Sequence, residues 1–269
     1  MLTVSRFGPH EWHFVYPPKY DELMDLFHAG CELFEEDRLL EAEAAFRTVL
    51  ARMPDHLDAI HHLALILSEE GEHLYARDLW QLSVVIGHMA FPAEFQHGLD
   101  RLPWLDLENR PFLRCLRGLA LTLYENDEQE DALALFEECL SLNPNDNQGA
   151  RSMALELLFA LGRWEDGFNL TMRYPQDMMC ETTYGRALAL YRLRRHDLAN
   201  AALSEAVEHH PRVQRELLKK THRRPKPTWH GGMEVGGAEE AWEYWRRFGR
   251  FWRDTPGAFQ WLSEAGKQR

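Results

Sequence analysis

GCELFEEDRLLEAEAAFRTVLARMP, residues 30–54, decides the fold. It sets a small residue at Gly30, a second at Ala42, a bulky apolar residue at Phe46 and a proline at Pro54, and these columns return along the chain. The bulky column reads Phe46, Trp80, Phe136, Leu170 and Leu203, with gaps of 34, 56, 34 and 33; the gap of 56 is one period of 34 with 22 residues added. The small column four positions earlier reads Ala42, Ala76, Ala132 and Ala199, and the fourth unit has Asp166 followed by Gly167. A further small column, twelve positions earlier again, holds Gly30, Ala64, Ala120 and Ala187, while Pro54, Pro144 and Pro211 close three units. Small residues let paired helices approach, a large one fills the groove between neighbouring pairs, and proline stops the second helix. A fixed period of this length is the signature of a stacked array.

The matching segments GCELFEEDRLLEAEAAFRTVLARMP, ALILSEEGEHLYARDLWQLSVVIGH, ALTLYENDEQEDALALFEECLSLNP and ALALYRLRRHDLANAALSEAVEHHP, with LFALGRWEDGFNLTMRYP as a shorter copy, resemble the tetratricopeptide repeat (TPR) family. The resemblance implies an all-α fold, a right-handed TPR-type α-solenoid of about five helix pairs with a helical C-terminal cap and essentially no strand. Residues 1–22 then form an N-terminal extension, 23–213 the solenoid with an insert at 89–112, and 214–269 a basic loop and Trp-rich cap.

In that last region RELLKKTHRRPKPTWHGG reads as a loop, and GGAEEAWEYWRRFGRFWRDTPGAFQWL carries Ala241, Trp245, Phe248 and Trp252 at helical spacing. Asp254, Thr255 and Pro256 end this helix or cap a shorter one around Trp261. Five of the nine tryptophans, at positions 229, 242, 245, 252 and 261, fall here. They are read as a cap over the last repeat, with an aromatic binding patch as the alternative. The succession AVEHHPRVQRELLK, a proline-bearing loop, Gly-Gly with EAWEYW and a Trp-bearing end is similar to the C-terminal part of the suppressor-of-tumorigenicity 7 family, which groups this tail with the array.

The formal charge of -13 argues against a general affinity for nucleic acid or an anionic membrane. The N-terminus has no long apolar core after a positive start, and no later run approaches the ~20 apolar residues of a membrane span, so a cytoplasmic protein is expected. Cys31, Cys115, Cys139 and Cys180 are widely spaced and form no CxxC, which excludes a zinc knuckle and leaves small buried hydrophobes.

Fourteen histidines invite a metal reading. His56, His61 and His62 cluster beside Asp58 and Glu69, but there is no HExxH, and adjacent His61 and His62 diverge by about 100 degrees on a helix. No metal and no cofactor are expected. His209 and His210 before Pro211 suit the negative end of a helix dipole, and His230-Gly-Gly reads as a turn. Gly231-Gly232 and Gly236-Gly237 follow no strand, so a dinucleotide fingerprint is not met. With no phosphate loop, nucleophile elbow or nucleophile–base pair, the chain does not read as an enzyme.

In a TPR array the first helix of each pair lines the concave surface. The register places Asp58 and His61 there in the second unit, Arg114, Arg117 and Tyr124 in the third, Gln148 and Arg151 in the fourth, and Tyr184 and Tyr191 in the fifth, with Arg192 one place further. Arginine offers planar bidentate donors to carboxylates, and tyrosine offers rigid area with a polar tip. This surface suits a protein or peptide partner, with an acidic segment as the matching class. Pairing of the arginines with Glu108, Asp146 or Glu181 is the competing account. The TPR carboxylate clamp requires asparagines where this chain has Leu65, Leu121 and Leu155.

The stretch LPWLDLENRPFLR, 102–114, joins the insert to the third unit. Pro111 suits a first helical turn, Asn109 reads as its N-cap, Glu108 and Arg110 sit at the mouth of the groove, and Trp104 reads as a plug. At the next boundary, NPNDNQGAR, Asn147 or Asp146 caps and Arg151 follows. Two alternatives accompany the interaction module: a structural or oligomeric scaffold using the aromatic C-terminal segment, and an enzyme with a site under the insert around His97, Trp104, Glu108 and Arg110.

Overall fold

Five helix pairs carry the repeat columns. The computed structural model describes residues 1–226 and 234–265. In it α1 (Met24–Glu35) pairs with α2 (Leu39–Arg52), α3 (Leu57–Glu69) with α4 (His73–Met89), and α5 (Arg110–Glu125) with α6 (Gln129–Leu142). α7 (Ala150–Ala160) and α8 (Trp164–Arg173) form the fourth pair in chain order, and α9 (Cys180–Arg192) packs on α10 (His196–His209). Ala42, Ala64, Ala120, Ala132, Ala187 and Ala199 are fully buried, as are Phe46, Phe136 and Leu203. The spacing of small and large residues is direct contact: a Cβ on Gly30 would lie 2.8 Å from the Phe46 ring.

A second column, five positions before the small one, ends the first helix of every pair. Asp37, Gly71, Asp127, Gly162 and Arg194 all have positive φ, between 59° and 85°. In the first pair the Asp37 N–H donates to the Phe34 carbonyl and the Arg38 N–H to the Leu33 carbonyl, the Schellman closure that satisfies the last helical carbonyls. The same two bonds recur at Gly71, Asp127, Gly162 and Arg194, each with a leucine carbonyl as the outer acceptor.

The chain divides into two compact units, Met1–Ala150 and Arg151–Arg269, so the division falls inside the repeat region rather than at its ends. In the first unit the N-terminal extension is not without strand: β1 (Thr3–Gly8) and β2 (Glu11–Val15) form an antiparallel hairpin. Alternation turns Val4, Trp12 and Phe14 inward, and all three are buried. The hairpin folds against the insert: Trp12 N–H donates to the Arg101 carbonyl (3.0 Å) and Val4 N–H to that of Ala90 (3.1 Å). Phe14 packs 5.2 Å from Phe112, and Trp12 lies edge-on to Phe95 at 5.5 Å. Asn109, expected to cap α5, makes no capping hydrogen bond. Its fully buried amide accepts from Phe14 N–H (3.1 Å) and donates to the carbonyls of Trp12 (3.0 Å) and Pro103 (3.1 Å), binding hairpin, insert and α5 together. Trp104 is half-buried, its ring lying against the guanidinium groups of Arg110 and Arg114 on α5. Within the insert Leu102 is fully buried, and its N–H donates to the Leu142 carbonyl at 2.7 Å. Pro111 does stand in the first turn of α5.

In the second unit α10 does not end in a loop. Pro211 opens a further short helix, α11 (Pro211–Leu217), so the first residues of RELLKK are helical. The C-terminal region forms α12 (Ala238–Arg253) and α13 (Ala258–Ala265); α12 packs on α9 and α11, and α13 on α10. Ala241, Tyr244, Phe248 and Trp252 are buried, Trp242, Trp245 and Trp261 half-buried, and no described tryptophan is exposed. That is a cap. Arg247 and Arg250 reach buried Glu156, at 2.7 and 3.3 Å, tying α12 to α7. His210 is buried rather than dipole-facing: Nδ1 meets Glu240 Oε2 at 3.1 Å and Nε2 meets the Met178 carbonyl at 2.6 Å. Trp229, His230, Gly231 and Gly232 lie outside the described residues.

Candidate functional site

The first unit holds a cavity of about 280 Å³ lined by His61, Leu65 and Ser68 of α3, Trp80 of α4, Arg114, Arg117, Gly118, Leu121, Thr122 and Glu125 of α5, and Gln148. α5 supplies most of the wall because its positions 114, 117, 118, 121, 122 and 125 repeat at helical spacing and share one face. Leu65 and Leu121, which stand where clamp asparagines would, give the lining an apolar patch. Gly118 is required by contact: a Cβ there would meet Trp80 Nε1 at 2.6 Å. Trp80 Nε1–H donates to His61 Nδ1 (3.1 Å), so His61 carries its proton on Nε2. Burial, helped by the neighbouring His62, pushes the His61 pKa down to about 3, leaving a neutral ring at physiological pH.

The arginines have unequal partners. Arg114 Nη1 contacts both oxygens of buried Asp58, at 2.9 and 3.1 Å, so its charge is internally matched, though by neither Glu108 nor Asp146. Arg117 Nε donates to the Gln148 carbonyl (2.9 Å), and among the described residues no carboxylate pairs with it. Arg110 donates to the Trp104 carbonyl (2.9 Å) with its guanidinium 5.1 Å from that ring, and Arg114 sits 6.0 Å from the same ring. Glu108 is exposed and makes no ion pair among the described residues; its carbonyl accepts from Tyr16. Tyr124 is half-buried on α5. Thus His61, Arg114, Arg117 and Gln148 come together, with Asp58 behind Arg114, whereas Glu108 and Arg110 stand outside the cavity wall.

In the second unit Arg151 Nε pairs with Asp177 at 3.0 Å and its guanidinium lies 4.9 Å from the Tyr174 ring. Asp146, as expected, caps α7 through the Ala150 N–H (2.6 Å). Tyr184 is not on a groove surface: it is fully buried against Tyr244 and Trp252 and donates to the His210 carbonyl at 2.8 Å. Tyr191 is stacked on Trp261 at 4.4 Å, because α13 folds back over it, and Arg192 lies 4.6 Å from the Trp164 ring. Helical register spaces these side chains along α9 but carries no information about a cap formed by α12 and α13.

Of the residues expected at the alternative site under the insert, Arg110 meets Trp104, and His97 lines a separate cavity. A cavity of about 480 Å³ is lined by His88, His97, Gly98, Glu137, Glu138, Ser141 and Leu142, and Trp104, Glu108 and Arg110 take no part in it. Among the described residues no group of three or more His, Cys, Asp or Glu side chains is placed to hold a metal ion, and no helix is long and apolar enough to cross a membrane. The cysteines are free; burial pushes Cys31 and Cys115 up to about 12, and Cys139 and Cys180 are raised as well, so all four are thiols at neutral pH.

A family model described as Tcf25, transcriptional repressor TCF25, matches residues 12–268, and the stretch similar to the suppressor-of-tumorigenicity 7 family falls within that match. No curated protein matches the chain. Among solved structures it is similar to YrrB, described as a TPR protein with an unusual peptide-binding site, at 15% identity and a TM-score of 0.52, covering 72% of this chain and 89% of that one. A tetratricopeptide repeat protein from Parabacteroides merdae gives 16% identity and a TM-score of 0.51 over 74% of this chain and 69% of that one. A chain from the structure of Naa15/Naa10 bound to HypK-THB gives 14% and 0.51, over 73% of this chain and 27% of that one. At these identities the likeness shows the TPR-type helical-repeat fold alone.

Proposed function

The chain belongs to the Tcf25 family, and from that premise we propose that it is a non-enzymatic protein-interaction module whose first unit holds an acidic peptide segment in the cavity between α3, α4 and α5. The observation that carries this reading is Arg117. It lines a half-apolar cavity, its Nε is fixed by the Gln148 carbonyl, and no carboxylate of the described protein neutralises it. An arginine held in place this way suits a carboxylate supplied from outside, with Trp80, Leu65 and Leu121 taking an apolar neighbour. Arg114 contributes shape and Gln148 backbone polarity. The description of the family as a transcriptional repressor fits a protein that acts through other proteins, since a charge of -13 opposes binding to a phosphate backbone. It also extends the proposed location from the cytoplasm to the nucleus.

The test is selection of peptides from a random display library on the full chain and on Arg117→Ala. Enriched peptides carry an acidic residue next to an apolar one, and their affinity falls by about 1–3 kcal/mol on the variant, the scale of a lost charge-assisted hydrogen bond. Peptides that bind both chains equally would refute the assignment.

A further inference from the structure

The cavity has a second end. An adjoining space of about 240 Å³ is lined by Ser68, His73, Trp80, Thr122, Glu125 and Asn126, and it shares Ser68, Trp80, Thr122 and Glu125 with the first. The two therefore run together along α5 and the Trp80 ring. Their ends differ in charge. At one end stands Arg117, with Arg114 cancelled by Asp58; at the other stands Glu125, exposed and without a hydrogen bond or ion pair among the described residues. Between them lie the apolar surfaces of Leu121 and Gly118 on α5, Leu65 on α3, and Trp80, with Ser68 and Thr122 alongside.

We infer that the first unit reads a bipolar peptide motif, in which an acidic residue meets Arg117, an apolar residue lies over Trp80 and Leu121, and a basic residue meets Glu125. The inference rests on the proposed function and adds the partner's second charge and its spacing. Arg117 and Glu125 are eight positions apart on one helix, a rise of about 12 Å. An extended chain covers about 3.3–3.6 Å per residue, so the opposite charges of an extended ligand stand three or four residues apart, acid and base on either side of the apolar residue. A helical ligand lying along α5 would need a separation of about eight residues to reach both ends. Trp80 lines both spaces and packs directly on Gly118, which favours the thinner, extended chain. Charge complementarity sets the direction, because reversing the ligand would place like charges at both ends.

The experiment uses N-acetylated, C-amidated octapeptides and the full-length protein, titrated calorimetrically at low salt. The first peptide carries glutamate, leucine next to it, and lysine three residues beyond the glutamate; the others replace lysine by glutamine, exchange the two charges, or separate them by eight residues in a longer peptide. The first is expected to bind best. Loss of its lysine weakens binding about two- to fivefold, the range of an exposed ion pair. Glu125→Gln removes that same difference and leaves the glutamine peptide unaffected. The charge-exchanged peptide is expected to recover on the double variant Arg117→Glu, Glu125→Arg, which also controls for folding. If Arg117→Ala weakens the first peptide but Glu125→Gln does not, the bipolar motif is overturned while the acidic-segment reading stands. If Arg117→Ala changes nothing, or no peptide binds, both are overturned. Preference for the eight-residue separation would overturn the extended geometry.

Discussion

Asn109 separates two accounts of the insert that a single residue can decide between. As an N-cap of α5 it would be replaceable by aspartate, an equally good cap, and its loss to alanine would cost about 1 kcal/mol confined to the first turn. The structure gives it a different task. One buried amide accepts from Phe14 N–H and donates to the carbonyls of Trp12 and Pro103, residues 95, 97 and 6 positions away. Asn109→Ala leaves a buried donor and two acceptors unmatched, and at about 1–3 kcal/mol for each unsatisfied group, part of which relaxation recovers, the cost is about 3–5 kcal/mol. Asn109→Asp keeps the acceptor for Phe14 but loses both donors and sets a carboxylate against two carbonyl oxygens, so it is at least as damaging. Hydrogen–deuterium exchange localises the effect: amides of Val4, Trp12, Phe14 and Arg101 lose protection by at least about a hundredfold in both variants, taking 1.4 kcal/mol as tenfold. A near-neutral Asn109→Asp, or exchange confined to the start of α5, would refute the latch.

Three further expectations concern the rest of the chain. Exposed Arg194 holds the left-handed turn position that Gly71 and Gly162 fill elsewhere, so Arg194→Gly should raise urea stability by about 1 kcal/mol, and a loss of stability would contradict the shared closure. The hydrogen bond that His210 donates to Glu240, with the Met178 carbonyl and Glu181 also acting, raises the His210 pKa above its usual 6.5. A raised folded pKa stabilises fully below the unfolded value and is lost as pH rises through the folded one, so unfolding of the second unit should become easier above about pH 6.5 in the native chain but not in His210→Gln; parallel pH profiles would exclude the pair as the cause. Arg114→Ala exposes the unmatched carboxylate of buried Asp58 and should lower stability by about 1–3 kcal/mol, whereas Arg117→Ala should leave it within about 0.5 kcal/mol; equal melting curves would remove the distinction between the two arginines.

The helix pairs were legible because small and bulky residues at one period are contacts within and between neighbours, and neighbours in the array are neighbours in sequence. The left-handed turn column was not read from the sequence, although Asp or Gly recurs five positions before Ala42, Ala76, Ala132 and Gly167; Arg194 conceals its last member. The hairpin left only a short alternation, Val4, Trp12 and Phe14 inward against Thr3, Glu11 and His13, and two strands of six and five residues cannot bury a face without the insert. Asn109 and Leu102 acquire their roles from partners far along the chain, which no local pattern reports. The same limit explains the candidate site. Register placed His61, Arg114, Arg117 and Gln148 on one wall, but the pairing of Arg114 with Asp58 and the covering of Tyr184 and Tyr191 by α12 and α13 are long-range facts.

The central claim is that the cavity of the first unit, and not the aromatic C-terminal region, receives the partner. The indole N–H of Trp80, which donates to His61 within the cavity, reports on it directly. In a spectrum of the nitrogen-15-labelled chain, assigned with Trp80→Phe, titration of a selected acidic peptide is predicted to shift the Trp80 indole signal while those of Trp242, Trp245, Trp252 and Trp261 stay in place. A shift confined to the C-terminal tryptophans, with Trp80 unmoved at saturation, would contradict the account.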